Sequence, residues 1–390
     1  MKSRLSRLAF SPCPSFSSPR RESTSPSTIM ADTQQVQQWQ TQQDGLEKLY
    51  MTTSGLSKPG KDEVLVEVGA VSLNFRDTEV AMGLYKHHKT IEDLPPKPLV
   101  PGSDMCGVIV AVGEGPATVN WKVGDRVLST FNQTHTTGQV KSHHMAHGLG
   151  LPLDGVLQTH RVFPSYGLVK VPDYMTDQEA ACLPIAALTA WMSINGMRPL
   201  GQSGGRDEVV LLQGTGGVSI NGLQIAKASG AKVIVTSSSD QKLQKAKALG
   251  ADYLINYRTN PEWQDEVMKF TNGEGADIIL ECGGAQTLRK SFDSIAFGGL
   301  INSIGYLSGK EDAPGDRTNV NLLALRRNVT LKGILNGPRD RFDEMCDFYR
   351  QHELHPVIDK VFPFEQAKDA LQYLFSGGHF GKVVVQVKKA

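Results

Sequence analysis

The sequence is poor in cysteine, and its cysteines are not grouped. Five occur in 390 residues and no C-x-x-C pair is present; they are Cys13, Cys106, Cys182, Cys282 and Cys346. This distribution argues against a disulfide framework or a structural zinc site, and it is typical of proteins in a reducing compartment. We therefore expect free thiols.

Excess charge and long apolar segments are absent as well. The formal net charge is +1, which offers no field to attract nucleic acid or an anionic membrane. Apolar runs such as Val209–Leu212 and Val383–Val387 are far shorter than the roughly 20 residues that span a bilayer. With 39% hydrophobic and 21% charged residues, the sequence instead predicts a globular protein of about two domains.

The first 29 residues are dominated by Ser, Pro and Arg, and Glu22 is their only acid. Such a composition cannot supply a hydrophobic core. A start rich in Ser and Arg resembles a mitochondrial transit peptide, although the prolines from Pro12 onward leave only a short apolar face. A disordered extension, or an upstream start codon with Met30 as the working initiator, is the alternative. We expect a cytoplasmic protein, with mitochondrial import left open.

Two patterns divide the rest of the chain. From Val64 onward, alternating apolar residues and frequent glycines predict short strands joined by turns. After Ala180, strand and helix patterns alternate, which predicts a parallel sheet with helices on both faces. The last section, from about Gly337, contains a helix and two strands and is too small to fold alone. We expect it to return to the first domain.

A glycine loop separates an apolar strand pattern from an amphipathic helix pattern. Glycine allows the backbone to approach a pyrophosphate, and the helix N-terminus supplies free N–H groups. A tight turn alone would also explain a glycine cluster, but the flanking strand, the helix and a second strand–helix unit favour dinucleotide binding. The predicted contacts are Gly214, Thr215, Gly216, Gly217 and Val218.

The end of the next strand bears on the choice of cofactor. A site that prefers NAD has a carboxylate where this chain has Ser237. The hydroxyls of Ser237 and Ser238, together with Lys242, can instead accept a 2′-phosphate, so the sequence predicts NADP(H). The same serines could simply cap the following helix, and Asp240 is the residue that fits NADP(H) least.

These motifs occur in one order with several others. The others are LNFRD (73–77), PGSDMCGVIVAVGEG (101–115), VGDRV (123–127), AACLPIAALTAW (180–191), LGADYLINYR (249–258) and FGKVV (380–384). Over roughly residues 64–387 the chain resembles zinc-independent members of the medium-chain dehydrogenase/reductase superfamily, close to quinone oxidoreductases and zinc-type alcohol dehydrogenase-like reductases.

The resemblance implies an α/β fold: a GroES-like β-barrel catalytic domain plus a Rossmann domain with a doubly wound parallel sheet, and the nicotinamide between them. We predict an extension over residues 1–29 and the first part of the catalytic domain over 30–185. The Rossmann NADP-binding domain would cover 186–335, and residues 336–390 would return to the catalytic domain.

In zinc-dependent members a cysteine, a histidine and a second cysteine hold the catalytic metal. The corresponding positions here are Asn74, Ser103 and Ile185, none of which supplies a thiolate or imidazole. His143 and His147 have a spacing that could bind a metal on a helix, but glycines follow at once and no acid accompanies them. We expect a solvated loop there and no bound metal.

Without zinc, hydrogen bonds must polarise the substrate carbonyl. The resemblance points to Asn74, which replaces the lost ligand in quinone oxidoreductases and can donate two N–H bonds toward the cleft. Arg76 would bind a substrate oxygen or a cofactor phosphate, or else pair with Asp77 or Glu79. Tyr85 matches a tyrosine near the nicotinamide, where it would donate a hydrogen bond or form a wall.

Further cofactor contacts follow from the resemblance. Thr189 would contact the nicotinamide or its phosphates, and Tyr257 the adenosine side. Gly283 and Gly305 would follow the fourth and fifth strands, where side chains would crowd the ring. Two late candidates have alternative roles as turn or surface residues: Asn336 and Lys382.

The predicted reaction is hydride transfer from NADPH to the electron-poor carbon of a quinone or conjugated enone. A zinc-free alcohol dehydrogenase or carbonyl reductase acting on aldehydes or ketones is the nearest alternative. An NADPH-binding sensor or scaffold with little turnover is the alternative from another functional class.

The only partners we expect are a small-molecule substrate and further copies of this chain. The copies would form a homodimer or homotetramer through the Rossmann sheet edge and the ILNG segment after Lys332. The length of the loop at residues 131–161 predicts a lid or an interface.

Overall fold

Two large β-sheets organise the part of the chain that the computed structural model describes, which comprises residues 35–86, 97–311 and 318–388. The interpretations of residues 1–29 as an extension or a targeting segment lie outside the described residues. None of the described helices is long and apolar enough to cross a membrane.

An antiparallel ribbon precedes the first large sheet, so strands begin before the predicted start at Val64. The ribbon consists of β1 (Gln35–Gln40) and β2 (Tyr50–Gly55). The next strands are β3 (Glu63–Leu73), β4 (Asp104–Val112), β5 (Arg126–Ser129), β6 (His160–Pro164) and β7 (Leu168–Lys170). The helices among and after them are α1 (Phe75–Ala81), α2 (Ser142–Met145) and α3 (Asp177–Ala180).

Strand β3 is the centre of the first sheet. It pairs antiparallel with β4 along its length and with β6 through its first half. Its apolar residues are almost entirely buried, and with those of the neighbouring strands they form one hydrophobic core. The strand ends at Leu73, and Asn74 is the N-cap of α1. The core therefore fixes the position at which the LNFRD motif begins.

A π-helical turn (Leu183–Ala187) and α4 (Leu188–Asn195) lead into the second sheet. Its strands are β8 (Val209–Gln213), β9 (Lys232–Ser237), β10 (Tyr253–Asn256), β11 (Ala276–Glu281), β12 (Ile295–Ser303) and β13 (Thr330–Gly333). Its helices are α5 (Gly217–Ala228), α6 (Asp240–Ala248), α7 (Trp263–Phe270), α8 (Ala285–Ser294) and α9 (Val320–Arg326).

All six strands of this sheet are parallel, in the order β10-β9-β8-β11-β12-β13. From β8 successive strands are added toward one edge of the sheet, and from β11 they are added toward the other edge. Ligands of such sheets bind between these two strands, outside their carboxyl ends. The sheet is buried on both faces by separate apolar clusters. The predicted α/β fold with a doubly wound parallel sheet is confirmed.

The last section consists of α10 (Arg339–His352), β14 (Ile358–Pro363), α11 (Ala367–Phe375) and β15 (Lys382–Gln386). Strand β15 pairs with β3 on one side and with β14 on the other. The first large sheet thus takes the order β14-β15-β3-β4-β5-β7 and contains strands from both ends of the described chain. The boundaries at residues 185 and 335 remain predictions.

Candidate active site

A cavity of about 430 Å³ lies at the carboxyl ends of the parallel strands, between them and helix α1. Every predicted site residue except Gly283 lines it, although their roles remain predictions. The predicted residues in its wall are Asn74, Arg76, Tyr85, Thr189, Gly214, Thr215, Gly216, Gly217, Val218, Ser237, Ser238, Lys242, Tyr257, Gly305, Asn336 and Lys382. The fold therefore brings together segments that are as far apart in sequence as α1 and β15.

The glycine loop forms an open cradle in this wall. Gly214 has a φ of +80°, and no atom lies within 4 Å of the place where a Cβ would stand. At Gly216 the nearest neighbour of such a Cβ is His379 Nε2, at 3.9 Å. Helix α5 starts at Gly217, and the Ser219 hydroxyl anchors its first turn by donating to the Gln213 carbonyl oxygen at 2.8 Å. The space and the helix N-terminus fit a dinucleotide pyrophosphate.

The end of β9 places both serines and the lysine at the cavity. Ser239 is the N-cap of α6, and its Oγ accepts a hydrogen bond from the Lys242 backbone N–H at 3.4 Å. Ser237 and Ser238 therefore do not cap this helix. Asp240 accepts a hydrogen bond from Asn256 Nδ2 at 2.8 Å and does not line the cavity. Its carboxylate is thus held away from the site of the predicted 2′-phosphate.

Lys242 reaches across the cavity toward the last section of the chain. Its Nζ donates to the Gly377 carbonyl oxygen at 2.9 Å, which uses one of the three ammonium N–H bonds. Partial burial is the largest effect on its pKa and lowers it, Asp359 opposes this lowering, and Lys245 on the same helix adds a smaller lowering. A phosphate in the cavity would relieve this like-charge repulsion.

Asn74 is held rigidly at the other end of the cavity. Its Nδ2 donates to Asp104 Oδ2 at 2.9 Å, and its Oδ1 accepts from Lys382 Nζ at 2.7 Å. Lys382 also donates to the Leu73 carbonyl oxygen at 2.7 Å. The expectation that Asn74 directs two N–H bonds into the cleft is wrong, because Asp104 takes one of them. A single amide hydrogen remains for a substrate.

Asp104 lies behind Asn74 and is completely buried. Burial raises the pKa of this carboxyl to about 7, against the opposing effects of Lys382 and the Asn74 hydrogen bond. The Ile185 backbone N–H donates to Oδ2 at 3.2 Å, whereas Oδ1 has no hydrogen-bond partner. The positions that correspond to zinc ligands, at Asn74 and Ile185, therefore both converge on this one carboxyl oxygen.

Arg76 pairs with Asp77 and not with Glu79. Its Nη1 lies 3.2 Å from Asp77 Oδ1, and it also donates to Ser103 Oγ and, at 3.1 Å, to the Leu149 carbonyl oxygen. Ser103 in turn donates to Asp77 Oδ1 at 2.7 Å. All three positions that correspond to zinc ligands, Asn74, Ser103 and Ile185, thus take part in hydrogen-bond networks.

The Arg76 guanidinium lies between two aromatic rings. Its Cζ is 4.8 Å from the centre of the Tyr85 ring and 4.7 Å from that of Phe131. The Nε and Nη2 atoms are buried and have no hydrogen-bond partner. Tyr85 therefore forms a wall of the cavity and stacks on a cation whose unused donors remain available to an oxygen atom.

A hydrogen bond that no sequence pattern predicted joins α1 to the segment after β12 at the cavity. Tyr306, which follows β12, donates its hydroxyl to Glu79 Oε2 of α1 at 2.5 Å, and Lys310 Nζ lies 3.8 Å from Oε1. Burial, followed by the Glu79 carboxylate, raises the pKa of Tyr306 well above its ordinary value. No local pattern indicates this pair, because the partners are 227 residues apart.

Gly283 is placed behind the cavity wall, and Cys282 occupies the wall instead. The buried Glu281 carboxylate accepts the N–H groups of Gly283 and Gly284 at 2.9 and 3.0 Å, and the Thr287 hydroxyl at 2.6 Å. A Cβ on Gly283 would collide with Thr287. Glycine is thus needed there for packing of the loop, and its contact with the cofactor stays a prediction.

Asn336 has an αL backbone, with a φ of +75°, and its Nδ2 donates to the Pro184 carbonyl oxygen at 2.9 Å. It belongs to the ILNG segment, which was expected at the sheet edge. Strand β13 ends at Gly333, whereas Ile334 is buried and joins Leu335 and Asn336 in the cavity wall. The segment therefore faces the cavity, and the edge strand at this end of the sheet is β13.

The histidine-rich loop at residues 131–161 is solvated at His143, which is exposed, and partly at His147, which is half-buried, whereas two other histidines of the loop are buried. His135 and His144 are buried and stack with ring centres 4.6 Å apart, because the loop packs against the start of α10 through Arg339 N and the His135 carbonyl oxygen. His147 Nδ1 lies 3.1 Å from the His143 carbonyl oxygen. Within residues 35–86, 97–311 and 318–388, no group of three or more His, Cys, Asp or Glu side chains could hold a metal ion.

Comparisons with known proteins agree with this geometry. A family model described as the alcohol dehydrogenase GroES-like domain matches residues 60–173, and one described as zinc-binding dehydrogenase matches residues 217–351. A zinc-type alcohol dehydrogenase-like protein of Schizosaccharomyces pombe is 40% identical over 83% of this chain and 91% of its own length. The chain is a medium-chain dehydrogenase/reductase.

Solved structures of other medium-chain dehydrogenases/reductases share the fold. A putative alcohol dehydrogenase from Sinorhizobium meliloti 1021 is 36% identical, with a TM-score of 0.78 over 90% of this chain and 99% of that one. An NAD-dependent alcohol dehydrogenase is 32% identical, with a TM-score of 0.74 over 88% and 97%. The predicted family and enzyme class, an oxidoreductase, are confirmed.

More distant structures bear on the cofactor and the reaction. A mycobacterial protein in complex with NADPH is 25% identical, with a TM-score of 0.71 over 90% of this chain and all of that one. A quinone oxidoreductase from Pseudomonas syringae pv. tomato DC3000 is 27% identical, with the same TM-score and the same coverage. NADPH-bound and NAD-dependent proteins thus both occur among the relatives, and membership of the family does not decide between NADP(H) and NAD(H).

Proposed function

We propose that this medium-chain dehydrogenase/reductase is a zinc-free, NADPH-dependent reductase of quinones or conjugated enones. The observation that carries the proposal is the environment of Asn74. Where zinc-dependent relatives have a metal ligand, an amide is fixed between Asp104 and Lys382 and keeps one N–H for a substrate oxygen. It lies in the same cavity as the glycine loop.

The residues that would hold the cofactor follow the cavity from end to end. The glycine loop and the N-terminus of α5 would bind the pyrophosphate. Ser237, Ser238 and Lys242 would bind the 2′-phosphate, and Tyr257 would lie on the adenosine side. Thr189 and Gly305 would flank the nicotinamide. When bound, NADPH supplies the hydride.

At the substrate end, the protein's contribution is to orient the acceptor and to stabilise charge on its oxygen. Addition of a hydride to the electron-poor carbon of an enone or quinone shifts negative charge onto the conjugated oxygen. The remaining N–H of Asn74 and the unused donors of Arg76 would stabilise that charge, which is the role a metal has in zinc-dependent relatives. The proton that completes the reaction would come from water or a weak acid.

The test is NADPH oxidation, followed by absorbance, with a quinone, a conjugated enone and an aldehyde as acceptors. The proposal requires turnover of a quinone or enone with a kcat/KM well above that for the aldehyde. Turnover restricted to the aldehyde would favour a zinc-free carbonyl reductase. Tight binding of NADPH with no turnover of any acceptor would favour a sensor or scaffold.

A further inference from the structure

A short loop from the last section of the chain covers the glycine loop. We call residues 376–381, which join α11 to β15, the His379 loop. Its Gly381 N–H donates to the Thr215 carbonyl oxygen at 2.9 Å, and its Gly377 carbonyl oxygen accepts from Lys242 Nζ at 2.9 Å. The His379 loop therefore bridges the first sheet's domain and the cofactor end of the cavity.

The imidazole of His379 faces the place where a pyrophosphate would lie. The residue lines the cavity, and its Nε2 is the atom nearest to a Cβ placed on Gly216, at 3.9 Å. Its Nδ1 is buried and has no hydrogen-bond partner. A buried ring nitrogen without a protein partner costs free energy, which a polar group bound in the cavity would offset.

We propose that His379 binds the pyrophosphate of the dinucleotide as an imidazolium, and that cofactor binding is accompanied by proton uptake at this residue. The inference rests on the dinucleotide part of the proposed function and is independent of the substrate and of the choice between NAD and NADP. Neither the glycine loop nor the helix N-terminus carries a titratable group that could produce such uptake.

The charges around His379 give the direction of the effect. Burial and then Lys242 of α6 and Lys382 of β15 lower the pKa of His379 to about 4, and Asp359 of β14 opposes them weakly. The Asp359 carboxylate is already engaged, since it accepts the Tyr373 hydroxyl at 2.6 Å. Without a ligand, the imidazole is therefore neutral near pH 7.

A bound pyrophosphate reverses this balance. Its negative charge offsets the two lysines and accepts a hydrogen bond from the protonated ring, so it raises the pKa of His379. Since the bound state then holds a proton that the free protein lacks, affinity should strengthen as pH falls through the higher, ligand-bound pKa. It should stop strengthening below about pH 4, where the free protein is protonated as well.

Calorimetric titration with ADP-ribose tests the proposal, because this probe contains the pyrophosphate and lacks both the nicotinamide and the 2′-phosphate. The titration is run at one pH in two buffers with different ionisation enthalpies, which reports the number of protons taken up. We expect a fractional uptake of up to one proton near neutral pH in the wild type. The dissociation constant should rise with pH by at most about tenfold per unit.

The variants His379→Asn and His379→Gln should bind ADP-ribose more weakly, with no proton uptake and a dissociation constant that is independent of pH. Two replacements are used because the amide of Asn imitates Nδ1 and that of Gln imitates Nε2, and circular dichroism checks that each is folded. His143→Asn, at an exposed residue outside the cavity, is the matched control and should keep the uptake.

Equal proton uptake in the wild type and in a folded His379 variant, or none in the wild type, would overturn the proposal. Absence of any ADP-ribose binding would overturn it together with the dinucleotide site. Failure of the reductase proposal is separate, because it would show in the acceptor assay while the proton uptake persisted.

Discussion

At the scale of single residues, the chemistry of the site depends on what holds Asn74. An unrestrained amide at that position would lose rotational freedom each time it bound a substrate oxygen. The contacts with Asp104 and Lys382 remove this cost in advance and fix which end of the amide donates. The same contacts limit Asn74 to one donor, so in the proposed reaction Arg76 would be the second source of hydrogen bonds for a substrate.

Replacement of Asn74 by Ala should therefore lower kcat by roughly 10²-fold, the usual loss when one donor to a developing oxyanion is removed. The dissociation constant of NADPH, measured by fluorescence titration, should remain close to that of the wild type. A variant that loses NADPH binding and keeps kcat would contradict this role. Turnover is measured with the best quinone or enone acceptor.

Asp104 should make stability depend on pH. Because its pKa is raised from 3.8 to about 7, the folded protein keeps a proton that the unfolded chain loses above pH 4. The contribution of this group to stability is therefore largest below pH 4, and it is lost as pH rises to about 7. Urea unfolding across this range should show a smaller loss in Asp104→Asn, and an unchanged loss would contradict the burial argument.

Lys242 decides the predicted preference for NADPH. Lys242→Ala should raise KM for NADPH at least about tenfold and leave KM for NADH unchanged, since a charge-assisted contact to the 2′-phosphate exists only with NADPH. Lys245→Ala is the matched control, because Lys245 lies on the same helix and outside the cavity wall. An unchanged ratio of the two KM values in Lys242→Ala would refute the assignment.

At the scale of elements, β13, one of the two edge strands of the parallel sheet, is the predicted place for an interface between copies of this chain. Strand β13 pairs with β12 on one side, and among the described strands none covers its other side. Leu331 on β13 is 37% exposed, and Leu322 and Leu325 of the preceding α9 are 52% and 80% exposed. Unpaired backbone groups beside apolar side chains favour pairing with a second copy.

We therefore predict a homodimer, or a homotetramer that contains this dimer, joined through β13. Leu331→Lys should shift the mass in light scattering after gel filtration toward the monomer, because it buries a charge in the interface. Val119→Lys, at an exposed position of the first domain, should leave the mass unchanged. A wild-type protein that is monomeric at micromolar concentration would contradict the prediction.

At the scale of the whole molecule, two domains that share the fold of zinc-binding dehydrogenases enclose a site. The polar groups of this site form hydrogen bonds with one another. Asn74 and Ile185 contact Asp104, and Ser103 contacts Asp77 and Arg76. A metal would have to displace this network without gaining a thiolate or imidazole in return.

Dialysis against a chelator should accordingly leave the NADPH-dependent turnover unchanged, and elemental analysis of the purified protein should find less than stoichiometric zinc. A relative that retains the cysteine and histidine ligands is the appropriate control and should lose activity under the same treatment. Restoration of lost activity by added zinc would contradict the zinc-free assignment.

Features that depend on neighbours along the chain could be predicted from the order of residues alone. The apolar strand, the glycines at 214, 216 and 217 and the helix that follows predict a phosphate cradle, because the strand, the turn and the helix N-terminus are local. The strand–helix alternation likewise predicts a parallel sheet, since strands in that direction need crossover helices. The absence of zinc-ligand side chains at the corresponding positions could also be read from the sequence, because it concerns residue identity alone.

Which groups face one another, and how deeply they are buried, depends on the packing of distant segments. The Glu79–Tyr306 bond joins residues 227 positions apart, and His379 meets the glycine loop only because β15 returns to pair with β3. Burial converts Asp104 from an ordinary acid into one that titrates near neutrality, and it removes His135 and His144 from solvent. Hydrogen-bond partners and desolvation are properties of the packed chain, and no spacing of residues encodes them.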